Sequence, residues 1–175
     1  MYKKISSKEI FNHPRLTLIE DEIILPSGIK TTYLKQKDDG SCCVTIIAKK
    51  DGKILIQREC SYPLNKKLFQ FPGGFVPYDE KPEFGANREL MEESDLTSNK
   101  LELLGSYLIN NRRSTAKMFV YLATNLQKKS LDCDKEEEYL ENFWFSENKI
   151  VRMIKNNKIS NCHVLAAWCL YKIKK

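Results

Sequence analysis

An α/β fold, with a few helices packed against a mixed sheet, is predicted by three features of the 175-residue sequence. Short runs rich in β-branched residues have the pattern of strands, glycine- and proline-containing turns separate them, and helical patterns follow in the middle and at the end. The composition, 42% hydrophobic and 30% charged, is typical of a globular protein. The length suits one domain, or one domain with an appended arm.

The first elements predict a β-hairpin arm. Residues 16–25 and 30–36 have strand-like patterns, and the sequence Pro26-Ser27-Gly28 between them is typical of a turn. A polar break, Lys37-Asp38-Asp39-Gly40, follows. We therefore expect residues 1–40 to form an N-terminal strand arm and residues 41–175 to form the main domain.

The main domain begins with two strands and a tight turn. Residues 43–49 and 53–58 are β-branched, and Asp51-Gly52 is a two-residue turn of the kind that closes hairpins. A short strand then leads into Pro72-Gly73-Gly74, where two glycines let the backbone come close to a ligand. Further strands are predicted at residues 101–109, 117–123 and 139–145, and two final helices are predicted with Ser146 and with Ser160 or Asn161 as N-caps.

The stretch from Gly74 to Leu96 contains the candidate chemistry. If residues 83–93 are helical, Glu89, Glu92 and Glu93 share one helix face, since positions i, i+3 and i+4 are neighbours there. Arg88 lies four residues before Glu92 and can neutralise part of this charge. Hard carboxylate oxygens beside a glycine turn suit a divalent cation such as Mg²⁺.

This stretch resembles the signature of the Nudix hydrolases, the Nudix box. Eight positions match the box in register: Gly74, Glu80, Arg88, Glu89, Leu90, Glu92, Glu93 and Leu96. Asp95 replaces the last glycine, which would end the helix in the left-handed conformation; Asp adopts that conformation better than most residues. Within the box, Gly74, Glu80 and Arg88 are interpreted as structural, with Glu80 ordering the loop or binding Arg88.

The resemblance implies a Nudix-type α/β/α sandwich and the hydrolysis of a diphosphate linked to another moiety. Over residues 16–171 the order of elements is similar to the branch that hydrolyses ADP-ribose and other nucleotide sugars. In that branch the carbonyl before the box glycine and the box glutamates hold the metals, which are Mg²⁺ or Mn²⁺. By position, these are Gly73, Glu89, Glu92 and Glu93, with Glu89 also catalytic. A glutamate on a later loop is the general base, here Glu138, with Glu137 as the alternative.

The substrate is less well defined by the sequence. Arg58, Arg112 and Arg113 are candidate substrate-binding residues, since guanidinium groups bind phosphates. Three features depart from the branch: Ser61 replaces an arginine, Gln70 replaces a glutamate, and the proline that marks ADP-ribose specificity after the box is absent from residues 109–113. Besides a nucleotide-sugar hydrolase, two alternatives stay open: a nucleoside triphosphate or capped-RNA pyrophosphatase, and a non-catalytic module that senses nucleotides.

Charge, cysteines and apolar runs limit the partners and the compartment. The net charge of +6 comes from scattered lysines, so a small anionic ligand is expected and nucleic acid is not. The six cysteines have no C-x-x-C spacing and are expected to be reduced and mostly buried. No apolar run is long enough for a membrane span or signal peptide, which predicts a cytoplasmic protein without membrane contact. By resemblance, a homodimer joined through the N-terminal arm is expected.

Overall fold

The structure, a computed structural model, describes residues 1–129 and 140–175 and divides into two compact units. The first unit comprises Met1–Gly40 and Leu108–Ala116, and the second comprises Ser41–Tyr107 and Lys117–Lys175. No helix in the described part of the chain is both long and apolar enough to cross a bilayer.

The first unit contains an antiparallel sheet of three strands in the order β1-β2-β3. These strands are β1 (Lys3–His13), β2 (Leu16–Ile24) and β3 (Lys30–Gln36). The predicted hairpin is confirmed as β2 and β3, but the sequence pattern did not indicate β1. Irregularities between Lys4 and Ser6 and between Glu9 and Phe11 interrupt its pairing with β2, so its apolar residues lose the period of two that marks a strand.

A seven-stranded mixed sheet forms the centre of the second unit, as predicted. Its path is β10-β5-β4-β9-β8, with β6 paired to β5 and β7 paired to β4. The strands are β4 (Cys42–Lys50), β5 (Lys53–Ser61), β6 (Lys66–Gln70), β7 (Phe75–Val76), β8 (Leu96–Leu108), β9 (Lys117–Lys128) and β10 (Glu141–Ser146). The β4–β9 pair is parallel, whereas β5 pairs antiparallel with β4, β6 and β10.

The helices are α1 (Pro82–Ser94), α2 (Glu147–Lys155) and α3 (Cys162–Lys174). Ser146 and Asn161 cap α2 and α3 with side-chain acceptors, which confirms the first predicted cap and selects between the two candidates for the second. Helix α1 ends at Asp95, whose φ of 55° and ψ of 31° are left-handed, as expected for the residue that replaces the box glycine.

Two hydrophobic cores lie on opposite faces of the sheet, because neighbouring residues of one strand point to opposite sides. On β4, Ile46 and Ala48 pack with Ala86 and Leu90 of α1. Ile47, between them, belongs to the core that contains residues of α2 and α3. The sheet is therefore covered by helices on both faces, which confirms the predicted α/β/α sandwich.

The cysteines differ from the prediction in their exposure. The described cysteines are all free thiols, but Cys60, Cys162 and Cys169 are exposed and Cys42 and Cys43 are only half-buried. The prediction that they are mostly buried is therefore wrong. Small apolar side chains are placed by the register of a strand or the face of a helix, and three of these thiols fall on outer positions.

Candidate active site

The Pro72-Gly73-Gly74 turn is fixed against β4. The carbonyls of Pro72 and Gly74 accept hydrogen bonds from the amides of Ile46 (2.7 Å) and Val44 (2.9 Å). Gly73 has a φ of +146°, and a Cβ placed there would lie 2.1 Å from the Val44 carbonyl oxygen. Only glycine fits at this position, so the backbone of residue 73 is held in one place beside α1.

Helix α1 presents two buried carboxylates to this turn. Glu89 and Glu93 are only 6% and 8% exposed. The Glu93 carboxylate accepts a hydrogen bond from the Gly73 amide at 2.9 Å. The Glu89 carboxylate lies against Gly74, where a Cβ would come within 2.6 Å of its Oε2 atom. The double glycine thus lets both carboxylates approach the main chain.

Arg88 connects the remaining carboxylates of the box. Its Nη1 donates to Glu89 (2.9 Å) and to Glu92 (2.8 Å), and its Nη2 donates to Glu80 (3.0 Å) and to the Phe75 carbonyl (2.9 Å). We call Arg88 with Glu80, Glu89 and Glu92 the Arg88 cluster. The predicted pairing of Arg88 with Glu92, and that of Glu80 with Arg88, are both observed. Burial by itself lowers the pKa of the Arg88 guanidinium, but the bonds and charges of these carboxylates outweigh burial and raise that pKa.

The donor set of this region suits a hard divalent cation. Carboxylate oxygens of Glu89, Glu92 and Glu93 and the main chain of Gly73 are oxygen donors of the kind that Mg²⁺ and Mn²⁺ prefer. Among the described residues, the Arg88 cluster itself contains one guanidinium and three carboxylates, so its own charges sum to a negative value. In the part of the chain that the structure describes, no three His, Cys, Asp or Glu side chains are arranged to hold a metal ion. The chemistry of these oxygen donors therefore fits a hard divalent cation.

Arg58, a predicted substrate-binding residue, has protein partners. Its Nε and Nη2 donate to both oxygens of Glu141 at 2.6 and 2.8 Å, and its guanidinium lies 5.5 Å from the centre of the Phe143 ring. Lys67 also donates to Glu141, at 3.0 Å. Hydrogen bonds from Arg58 and Lys67 lower the pKa of the Glu141 carboxyl to about 2. Glu141 is therefore an anion at neutral pH that anchors Arg58.

Protein contacts are also described for the other two predicted substrate-binding residues. Arg112 and Arg113 belong to the first unit, where the Arg112 carbonyl accepts a hydrogen bond from the Tyr33 hydroxyl. The Arg113 guanidinium donates to the Leu34 carbonyl at 2.9 Å and lies 5.1 Å from the centre of the Tyr33 ring. The predicted general base Glu138, with its alternative Glu137, lies outside the described residues.

Two contacts of the site had no signal in the sequence. The side-chain amides of Gln57 and Asn142 both donate to the main-chain carbonyl of Glu93. Gln57 lies in an apolar strand pattern, and Asn142 among aromatic residues, so neither belongs to a recognisable motif. Their meeting depends on the pairing of β5 with β10, which the sequence alone does not define.

Comparisons with known proteins identify the family of the chain. The model of the NUDIX domain matches residues 38–167. The chain is 28% identical over 143 residues to an ADP-ribose pyrophosphatase of Bacillus subtilis (strain 168), covering 79% of this chain and 77% of the relative. It is 25% identical over 169 residues to a methanol dehydrogenase activator of Bacillus methanolicus, covering 94% of this chain and 89% of the relative.

A solved structure shows the same fold. The crystal structure of an ADP compounds hydrolase superposes with a TM-score of 0.90 at 19% identity, covering 98% of this chain and 92% of that one. The match to the NUDIX model confirms the recognition of the box, and the solved structure confirms the α/β/α fold. The protein belongs to the Nudix family and is a hydrolase.

Proposed function

We propose that the protein hydrolyses the diphosphate bond of a nucleoside diphosphate linked to another moiety, with ADP-ribose as the leading substrate. The observation that carries this proposal is the set of box carboxylates gathered against the double glycine, with Glu93 bonded to the Gly73 amide at 2.9 Å. The Bacillus subtilis relative described as an ADP-ribose pyrophosphatase supports the choice of substrate. The products would be a nucleoside monophosphate and a sugar phosphate.

The metal would be held by the Gly73 carbonyl and by Glu89, Glu92 and Glu93. A bound Mg²⁺ or Mn²⁺ neutralises diphosphate oxygens and lowers the pKa of a coordinated water. Arg88 would balance the negative charge of the carboxylates while no cation is bound. Its hydrogen bond to Glu80, at 3.0 Å, holds the guanidinium beside them. It thereby limits the repulsion among carboxylates that must lie close together.

The proton of the attacking water needs an acceptor on the chain. We assign this role to Glu138, with Glu137 as the alternative, on the basis of position in the family. Glu141 in the same acidic run is unsuited, because Arg58 and Lys67 hold its pKa at about 2. Water oxygen forms a bond to one phosphorus, the bond from that phosphorus to the bridging oxygen breaks, and the carboxylate takes the proton. Loss of activity in Glu138→Gln but not in Glu137→Gln would support this assignment.

The N-terminal arm, residues 1–40, is proposed as a dimerisation element. Large apolar residues in this sheet are exposed, among them Ile10 at 46% and Phe11 at 49% on β1 and Tyr33 at 38% on β3. Apolar side chains on a strand at the edge of a sheet are a common means of association between chains. Light scattering of the whole protein would give twice the monomer mass if the proposal holds, and the mass of a monomer would contradict it.

The substrate is tested by incubating the protein with ADP-ribose, other nucleotide sugars, dinucleoside polyphosphates and nucleoside triphosphates, each with Mg²⁺ or Mn²⁺. Chromatography of the products should show AMP and ribose phosphate from ADP-ribose. Release of inorganic pyrophosphate from nucleoside triphosphates, with nucleotide sugars left intact, would instead support a triphosphate pyrophosphatase. The variant Glu93→Gln tests whether the box carboxylates form the active site. Unchanged turnover in this variant would contradict that assignment.

A further inference from the structure

Two side-chain amides from neighbouring strands meet at the C-terminal end of α1. Gln57 on β5 and Asn142 on β10 are direct partners in the antiparallel pairing of these strands. Gln57 Nε2 lies 3.2 Å from the main-chain oxygen of Glu93, and Asn142 Nδ2 lies 2.9 Å from the same oxygen. Because a carbonyl oxygen can only accept, both amides must turn their nitrogen atoms toward it.

The Glu93 carbonyl belongs to the last turn of α1, where carbonyls have no partner within the helix. The cap residue Asp95 donates its amide to the Leu90 and Met91 carbonyls, one turn earlier. The Glu93 carbonyl accepts instead from the two strands. The sheet therefore holds the last turn of the helix at the residue whose side chain reaches the Gly73 amide.

The burial of Gln57 indicates a role other than stability. Its side chain is fully buried, and its Oε1 has no hydrogen-bond partner among the described residues. Burying an amide oxygen without a partner costs free energy that an apolar side chain of similar size would not. The neighbouring positions Leu55 and Ile56 are apolar and equally buried. The bond from Nε2 to Glu93 is thus the contact that an apolar residue could not supply.

We propose that Gln57 and Asn142 are positioning residues that fix the main chain of Glu93 and so aim its carboxylate at the metal site. This inference rests on the proposed function, in which Glu93 is a metal ligand. The backbone at residue 93 is held by two donors and the carboxylate by the Gly73 amide, so the side chain is restrained at both ends. Partners behind a metal ligand typically change affinity by about 10- to 100-fold when they are removed.

The test compares Gln57→Met, Asn142→Ala and the double variant with the wild type, all as the whole protein. Binding of Mn²⁺ is measured by calorimetry or electron paramagnetic resonance without any nucleotide. We expect the double variant to bind Mn²⁺ about 10- to 100-fold more weakly. Each single variant should show a smaller loss, and kcat should fall more than KM rises. The melting temperature of Gln57→Met without metal should be equal to or above that of the wild type.

Asn87→Ala is the matched control. Asn87 is an amide on the same helix, and its Nδ2 donates to the Ser98 carbonyl of β8 at 3.1 Å. Its loss loosens α1 without touching Glu93, so the melting temperature should fall while Mn²⁺ affinity stays unchanged. Equal losses of affinity in Asn87→Ala and the double variant would overturn the inference.

The inference and the proposed function fail in different ways. Unchanged Mn²⁺ affinity in the double variant, together with hydrolysis of ADP-ribose by the wild type, overturns the inference alone. Weakened Mn²⁺ binding in a protein that hydrolyses no diphosphate supports the positioning role and overturns the proposed function. A wild type that binds no Mn²⁺ overturns both the inference and the metal assignment. If the double variant does not fold, the Mn²⁺ affinities of the two single variants test the inference.

Discussion

Two charge clusters in the second unit have opposite compositions. In the Arg88 cluster one guanidinium contacts three carboxylates. In the second cluster, which we call the Glu147 cluster, one carboxylate at the start of α2 contacts three ammonium groups and a hydroxyl. The partners of Glu147 are Lys49 (3.4 Å), Tyr171 (2.8 Å), Lys172 (3.1 Å) and Lys175.

Under the proposed function, this difference distinguishes a cation-binding site from a structural contact. One positive charge against three negative ones leaves the Arg88 cluster with excess negative charge, beside the buried Glu93. The Glu147 cluster has excess positive charge on long lysine side chains, which can turn toward water. An added cation is therefore expected to stabilise the first cluster, whereas the second cluster only joins β4, α2 and α3.

The largest effect is expected from Arg88→Gln. The hydrogen bonds of Arg88 to three carboxylates and to the Phe75 carbonyl are lost, and the carboxylates then repel one another. Unfolding in urea without metal should show a loss of about 2–3 kcal/mol, since removing one partner of a part-buried ion pair leaves the other uncompensated. Added Mg²⁺ should restore more stability to the variant than to the wild type. If Mg²⁺ stabilised both equally, the Arg88 cluster would not be the cation site.

Glu147→Gln should have a smaller effect that is confined to stability. The amide keeps the size of the side chain but removes the charge that three lysines share. We expect a loss of about 1–2 kcal/mol in urea unfolding, because several charge-assisted bonds weaken together. The kcat/KM for ADP-ribose should not change. A large loss of activity would show that the two clusters are not separate in function.

The pH dependence of stability distinguishes the same variant from the wild type. Burial alone would raise the pKa of the Glu147 carboxyl, but hydrogen bonds from Lys175, Tyr171, Lys172 and Lys49 lower the pKa to about 2, from an ordinary value of 4.5. Because the folded value is below the unfolded one, this stabilisation is present above about pH 4.5 and is lost as the pH falls toward 2. Over that range, the free energy of unfolding of Glu147→Gln should fall less steeply with pH than that of the wild type. The two slopes should differ by the equivalent of up to one proton taken up on unfolding.

Asp95→Gly should have the smallest effect and serves as a control for changes within α1. Glycine adopts the left-handed conformation of residue 95 without strain and removes a negative charge from the end of the helix. We expect a gain of about 0.5 kcal/mol in thermal unfolding. Metal response and kcat/KM should stay as in the wild type. A changed metal response would mean that the side chain of Asp95 itself takes part in cation binding.

The local part of the site could be predicted because it depends on short spacings. Glu89, Glu92 and Arg88 lie within one and a half turns of a helix, so their proximity follows from its period. The long-range part could not be predicted. The pairing of Arg58 with Glu141 joins residues 83 positions apart and depends on the register of β5 and β10. The sequence contains both residues but no signal that they are partners.

In the fold, as in the site, features that depend on local patterns could be predicted and the others could not. Strands β2 and β3 and the turn at Asp51-Gly52 follow from local patterns and are present. Strand β8 begins at Leu96, five residues before the predicted start, because a single left-handed residue suffices to end the helix. The sequence pattern predicts a longer connection there, since polar residues such as Ser98 and Asn99 interrupt the apolar positions of the strand.

The one-residue junction at Asp95 limits how the protein can be engineered. With Ser94 in α1 and Leu96 in β8, a single inserted residue has no loop to absorb it. Extending the helix by one residue rotates the rest of the chain by about 100° about the helix axis, and shifting the strand by one residue exchanges its inner and outer faces. Insertions such as affinity tags or reporter peptides therefore belong elsewhere, for instance in the exposed turn at Pro26-Ser27-Gly28. The helix and the strand behave as one length-constrained segment.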